Sequence, residues 1–125
     1  MTKILIAEDE KDIRDLVVFS LTYGGFEAIS AANGIEAVAK AEAELPDLIL
    51  MDVRMPKMSG YEACEKLKLN PTTRDIPIVF LSAKGQETEI KQGLSAGAEE
   101  YILKPFAPDE LVRRVREILR RTGGG

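Results

Sequence analysis

The sequence predicts an α/β fold: five βα units wound doubly about a parallel five-stranded sheet, with helices covering both faces. Two observations predict it. Short apolar runs recur at Lys3–Ala7, Leu48–Met51, Ile78–Leu81 and Glu100–Leu103, and each leads into a polar residue: Glu8-Asp9, Asp52, Ser82 and Lys104. The segments between them carry helical periodicity and are long enough for the crossovers that parallel strands require.

The elements follow in order. After the first strand, Lys11 to Thr22 places Ile13, Leu16, Val17 and Leu21 at helical spacing, and Gly24-Gly25 stops the helix. Glu27–Ala31 reads as the second strand. Asn33-Gly34 then opens a helix over Ile35–Leu45, with Ile35, Val38, Ala39 and Glu42 at its spacing and Pro46 ending it. The third strand is Leu48–Met51, and a third helix starts near Ser59-Gly60 and finishes before Asn70-Pro71. Ile78–Leu81 gives the fourth strand and Gln86–Ala96 the fourth helix, closed by Gly97. Glu100–Leu103 is less apolar than the other strands, which suits a sheet edge. A fifth helix runs from Pro108, a residue suited to a first turn, to Arg121. The first, third and fourth strands are nearly continuous apolar runs, the pattern of strands buried on both faces.

Parallel strands put every one of those terminal polar residues at the same sheet edge, where open α/β sheets place their sites. The expected pocket therefore holds three carboxylates, one hydroxyl and one ammonium. The chain of 125 residues fits one domain, over residues 1–121, with 122–125 as a loose tail or the start of a linker. A net charge of −4 argues against direct nucleic-acid binding through this domain. The single cysteine, Cys64, excludes an internal disulfide and reads as a small packed helical residue. With neither a membrane-length apolar stretch nor a signal-peptide core, the expected compartment is the cytoplasm.

The chain has no histidine, which excludes a Ser-His-Asp triad, a Cys-His pair and a histidine-rich zinc site. Oxygen chemistry remains. Glu8, Asp9 and Asp52 brought together repel one another and must hold either protons or a cation. Mg²⁺ suits such a set, since it takes a few carboxylates and keeps positions open for phosphate oxygens. A lysine to pair with a phosphoryl oxygen and a hydroxyl to donate to another complete the parts needed for phosphoryl transfer, and a carboxylate can itself be the acceptor.

On these residues the chain resembles the receiver domain of bacterial two-component response regulators, the CheY-like family, over essentially its whole length. The resemblance is carried by Glu8-Asp9, by Asp52-Val53-Arg54-Met55-Pro56-Lys57-Met58-Ser59-Gly60, by Ser82-Ala83 and by Lys104-Pro105-Phe106. It implies the flavodoxin-like strand order 2-1-3-4-5 and a phosphorylation-controlled switch. Asp52 would be the phosphoacceptor, taking a phosphoryl group from a histidine of a sensor kinase or a phosphotransfer protein. Asp9, Asp52 and the backbone carbonyl of Arg54 would hold Mg²⁺ directly, and Glu8 would hold it through water. Lys104 would pair with the phosphoryl group, and the Lys104-Pro105 bond would be cis. Ser82 and Tyr101 match the switch positions, Ser82 closing on the phosphoryl group and Tyr101 rotating inward. The face of the fourth helix, fifth strand and fifth helix would then change its binding properties.

Arg54 and Lys84 match positions flanking the path of hydrolytic water, so two long cations there imply slow self-dephosphorylation. The last helix sets Arg113, Arg114, Arg116, Arg120 and Arg121 against Glu110 and Glu117, with Leu111, Val115, Ile118 and Leu119 as its buried stripe. Together with Glu99-Glu100-Tyr101, this resembles the receivers of winged-helix transcription regulators, which dimerise through that face with acid-base pairs. Glu87-Thr88-Glu89-Ile90-Lys91-Gln92 departs from that subfamily's charge pattern. The resemblance further implies a downstream output domain or protein, and no enzymatic turnover beyond the chain's own phosphorylation and dephosphorylation. Two other classes are weighed against it: a docking or dimerisation module of receiver shape, and an aspartate-nucleophile phosphatase, for which the order Ala7-Glu8-Asp9-Glu10 fits poorly.

Overall fold

The computed structural model describes residues 1–83, 91, 95 and 97–122; most of the helix expected over 86–96, together with Lys84 and the tail at 123–125, lies outside the described residues. The elements are β1 (Lys3–Ala7), α1 (Lys11–Tyr23), β2 (Glu27–Ala31), α2 (Gly34–Glu44), β3 (Leu48–Asp52), α3 (Gly60–Leu69), β4 (Ile78–Ala83), β5 (Glu100–Lys104) and a C-terminal helix (Pro108–Thr122). The five strands form one sheet in the order β2-β1-β3-β4-β5, and every pairing is parallel.

The continuous apolar runs divide by strand alternation into two cores. Ile4, Ile6, Leu48, Leu50, Val79 and Leu81 join the layer that holds Val17 and Leu21 of α1 and Leu111, Val115, Ile118 and Leu119 of the C-terminal helix. Their neighbours Leu5, Ala7, Ile49, Met51, Ile78 and Phe80 face the opposite way, toward Ala37 and Ala41 of α2 and Ala63, Cys64 and Leu67 of α3. A strand apolar at every position is thus the signature of a sheet covered on both sides. β2 and β5 form the edges and are correspondingly less buried.

Two helices turn a different arc inward than their periodicity predicts. In α1 the buried residues are Val17, Ser20 and Leu21, while Leu16 is 44% exposed and joins Phe19 and Tyr23 outside. Ser20 can be buried because its hydroxyl donates to the Leu16 carbonyl at 2.7 Å. Leu16, Phe19 and Tyr23 line a cavity of about 690 Å³ shared with Val112, Arg113 and Arg116 of the C-terminal helix. In α2 the inward residues are Gly34, Ala37 and Ala41, whereas Ile35 is 51% exposed. The small side chains let α2 pack closely, a preference that helical spacing alone does not reveal.

Local chemistry fixes the helix ends nearest the carboxyl edge of the sheet. Asn33 caps α2 by accepting from the Glu36 N–H at 2.9 Å. Ser59 and Glu62 form a reciprocal capping box at the start of α3. Gly34 and Gly60 are required by close approach: a Cβ on Gly34 would lie 2.2 Å from the Met58 carbonyl oxygen, and one on Gly60 would lie 2.3 Å from that of Asp52. Both helices therefore press directly on the segment that leaves β3. Among the described residues no helix is long and apolar enough to cross a membrane.

Candidate functional site

The polar residues that end the strands converge at the carboxyl edge. The β1–β2 ladder continues one step past Ala7, with the Glu8 N–H donating to the Ala31 carbonyl at 3.0 Å. This brings Glu8 inward, to 1% exposure, and leaves Asp9 exposed. Asp52 closes β3 at 9% exposure. Lys104 closes β5 and reaches across the sheet, its Nζ donating to Glu8 Oε1 at 2.9 Å and to Asp52 Oδ2 at 3.0 Å. One oxygen from each of Glu8, Asp9 and Asp52 lies within 4.8 Å of the others.

One ammonium thus faces three carboxylates, and the electrostatics record the imbalance. The Glu8 carboxyl is pushed up to about 7, first by burial and then by its hydrogen bond with Asp52, with Lys104 opposing. Burial pushes the Lys104 ammonium down, but the hydrogen bonds and charges of Glu8 and Asp52 outweigh it and raise it above its ordinary value. A set of hard oxygen donors, two buried and one open to solvent, with negative charge in excess, fits a hard divalent cation.

The remaining residues named from the sequence are placed as follows. Ser82 is 1% exposed near the end of β4, two residues beyond Phe80, the register partner of Tyr101. Tyr101 is half-buried against the core on the α2 and α3 side and also lines an open cavity along β5, with Glu110, Arg114 and Glu117. The Lys104–Pro105 peptide is cis. The Arg54 N–H lies 3.4 Å from Asp52 Oδ1, and Lys84 is outside the described residues. Glu8, Asp9, Asp52 and Lys104 are therefore brought together, Ser82 lies near the end of the intervening strand, and Tyr101 stands toward the sheet edge.

Two features at this edge are not apparent from the run of residues. The loop after Asp52 contains a tight three-residue turn, with Lys57 at φ 69° and the Met58 N–H donating to the Pro56 carbonyl at 2.7 Å. Arg14, on α1, donates from one guanidinium nitrogen to the Glu8 carbonyl at 2.8 Å and to that of Asp9 at 3.4 Å. Its sequence signal is a cation near the beginning of a helix, where the helix dipole disfavours one.

Comparison with known proteins points one way. The family model described as the response regulator receiver domain matches residues 4–116. The phosphate regulon transcriptional regulatory protein PhoB of Pseudomonas aeruginosa is 47% identical over 122 residues, covering 98% of this chain and 53% of that protein. PhoB of Escherichia coli is 44% identical over 119 residues, covering 95% of this chain and 52% of its own. The chain thus spans about half the length of the curated relatives it matches. Among solved structures, a response regulator from Chloroflexus aurantiacus superposes with a TM-score of 0.90 at 36% identity, over 95% of this chain and 98% of that one. The chemotaxis response regulator CheY4 of Vibrio cholerae does so with a TM-score of 0.90 at 33% identity, over 95% and 99%.

Proposed function

Because this chain belongs to the response regulator receiver domain family, we propose that its carboxyl-edge pocket is a phosphoryl-accepting switch with Asp52 as the acceptor. The observation that carries the reading is Lys104, held between Glu8 and Asp52 across the sheet. An ammonium so placed can follow a phosphoryl oxygen arriving at Asp52 while keeping a tie to Glu8.

In the proposed step an Asp52 carboxylate oxygen attacks the phosphorus of a phosphohistidine on a sensor kinase or phosphotransfer protein. The new P–O bond forms as the P–N bond breaks, and the departing imidazole takes up a proton. Lys104 pairs with one phosphoryl oxygen and the Ser82 hydroxyl donates to another. Asp9, Asp52 and the Arg54 carbonyl would hold Mg²⁺, with Glu8 reaching it through water. When bound, the ion supplies the positive charge that lets three carboxylates and a phosphoryl group share the pocket.

Movement of Ser82 toward the phosphoryl group opens space beneath β4 for Tyr101 to turn inward, which alters the face made by β5, the C-terminal helix and the helix expected over 86–96. That face would carry homodimerisation or contact with an output domain, and the relatives named as transcriptional regulators support the latter. Arg54 and Lys84 would slow hydrolysis of the acyl phosphate by crowding the water's approach. A cytoplasmic location follows from the proposed kinase partner.

The test is to incubate the chain with acetyl phosphate and follow intact mass, for wild type and Asp52→Asn, with Mg²⁺ and with a chelator. A single phosphoryl adduct that needs both Asp52 and Mg²⁺ is expected. No adduct under any condition overturns the switch and favours a docking module; steady release of phosphate from simple esters favours a phosphatase.

A further inference from the structure

We infer that Arg14 is a positioning residue that sets the Asp9 carboxylate for cation binding, an inference that rests on the reading of the pocket as a Mg²⁺-dependent phosphoacceptor. Asp9 is exposed, so side-chain packing does not fix its direction, and the task falls to the backbone on either side of it. Both flanking peptide groups are tied. The Glu8 carbonyl, which belongs to the peptide before Asp9, accepts from Arg14 at 2.8 Å, and the Asp9 carbonyl, in the peptide after it, lies 3.4 Å from the same nitrogen. The N–H end of that second peptide, on Glu10, lies 3.3 Å from Glu8 Oε2. One guanidinium and one buried carboxylate thus hold the two peptide planes between which the Asp9 side chain departs.

The placement runs against helix electrostatics, which gives it weight. Arg14 is the fourth residue of α1, where the dipole favours acids over cations. Lys11 beside it is compensated by a salt bridge to Asp15 at 2.6 Å. Arg14 is half-buried and is compensated by the two loop carbonyls. Its charge sits against the carbonyl ends of the two peptides that flank Asp9. A lysine would keep that charge, but a single ammonium on a flexible stem constrains two carbonyls less well than a planar guanidinium.

The experiment compares wild type, Arg14→Gln and Arg14→Lys in three readouts: Mg²⁺ affinity by titration calorimetry, exchange of the Glu10 amide hydrogen, and the Mg²⁺ dependence of adduct formation with acetyl phosphate. Arg14→Gln is expected to weaken Mg²⁺ binding by about tenfold, the scale at which residues behind a metal ligand act. It should also speed Glu10 exchange and shift adduct formation to higher Mg²⁺, while the maximal rate at saturating Mg²⁺ stays close to wild type. Arg14→Lys should recover part of the affinity. Mg²⁺ affinity within twofold of wild type in Arg14→Gln overturns the inference. So does a fall in maximal rate and unfolding midpoint with no change in Mg²⁺ dependence, because that is the mark of a structural role alone. If wild type binds Mg²⁺ yet gains no adduct, the phosphoacceptor reading fails while the titration still decides the role of Arg14.

Discussion

Glu8 and Glu100 are carboxylates that their surroundings drive in opposite directions. Glu8 is buried and shares the Lys104 ammonium with Asp52, and its carboxyl is pushed up, first by burial and then by Asp52. Glu100, at the start of β5, pairs with two guanidinium groups, Arg114 and, at 2.8 Å, Arg121. Burial pushes the Glu100 carboxyl up, but the Arg121 hydrogen bond and the two arginine charges outweigh it and hold it below its ordinary 4.5. A carboxyl whose value is lower in the folded chain stabilises the fold at pH above its unfolded value, and that contribution disappears as pH falls through the folded value. Glu100→Gln should therefore be less stable than wild type at pH 7 by about 0.5–1 kcal/mol, a figure kept small because the group is partly exposed. The gap should close as pH falls below 4.5 and through the lowered folded value. Urea unfolding of both proteins across that range measures it, and a gap that persists unchanged at the acid end would refute the electrostatic account. The arginine-rich sequence of the last helix made its pairing capacity legible, but which arginines meet Glu100 depends on how the helix rotates over β5.

At the scale of elements, the segment leaving β3 is gripped by two helices at their glycines. A methyl group on Gly60 would stand 2.3 Å from the Asp52 carbonyl oxygen, a backbone atom that cannot swing aside as a side chain can. Gly60→Ala should therefore displace the start of α3 and cost about 3 kcal/mol. Gly25 offers the contrast: its φ is 94°, but a Cβ added there would have nothing within 4 Å of it, so Gly25→Ala should cost only about 1 kcal/mol of backbone strain. Urea unfolding ranks the two, and near-wild-type stability of Gly60→Ala would show that α3 yields at that contact. The sequence places Gly60 near the start of a helix, but the close approach to Asp52 that it serves leaves no mark there. A similar limit applies to α1 and α2. Their apolar residues are spread around the helix, so periodicity could not separate Leu16 and Ile35, which face out, from Val17 and Ala37, which face in. The C-terminal helix was legible because its apolar and charged residues are cleanly segregated, and Leu111, Val115, Ile118 and Leu119 are all buried as expected. Nothing in Pro56-Lys57-Met58 signals the positive φ of Lys57.

At the scale of the whole molecule, the pocket joins residues far apart in the chain: Glu8 and Asp9 after β1, Asp52 on β3 and Lys104 on β5. It was readable because parallel topology sends the carboxyl end of every strand to one edge, so a polar residue ending an apolar run is already assigned a place. The order β2-β1-β3-β4-β5 then makes β1 and β3 neighbours, and the acids must meet. Arg14 was not readable in this way, since its contacts are to backbone carbonyls and leave no pattern among side chains. The meeting of acids couples the pocket to folding. The unfolded chain separates Asp52 from Glu8 and Asp9, so a cation that needs all three carboxylates binds the folded state alone and stabilises it by mass action, by about 2.7 kcal/mol at a concentration roughly one hundred times its dissociation constant. The urea midpoint of wild type should accordingly climb with Mg²⁺ at constant ionic strength. Asp9→Asn should begin at or above the metal-free wild-type midpoint, because one repelling charge has gone, and then respond far less. Ionic strength must be held constant because salt alone would screen the same repulsion. If NaCl of matched ionic strength raises the wild-type midpoint as far as MgCl₂ does, the cluster is merely screened and holds no ion, and the charge imbalance around Lys104 would be a standing cost of the fold that the molecule carries for another reason.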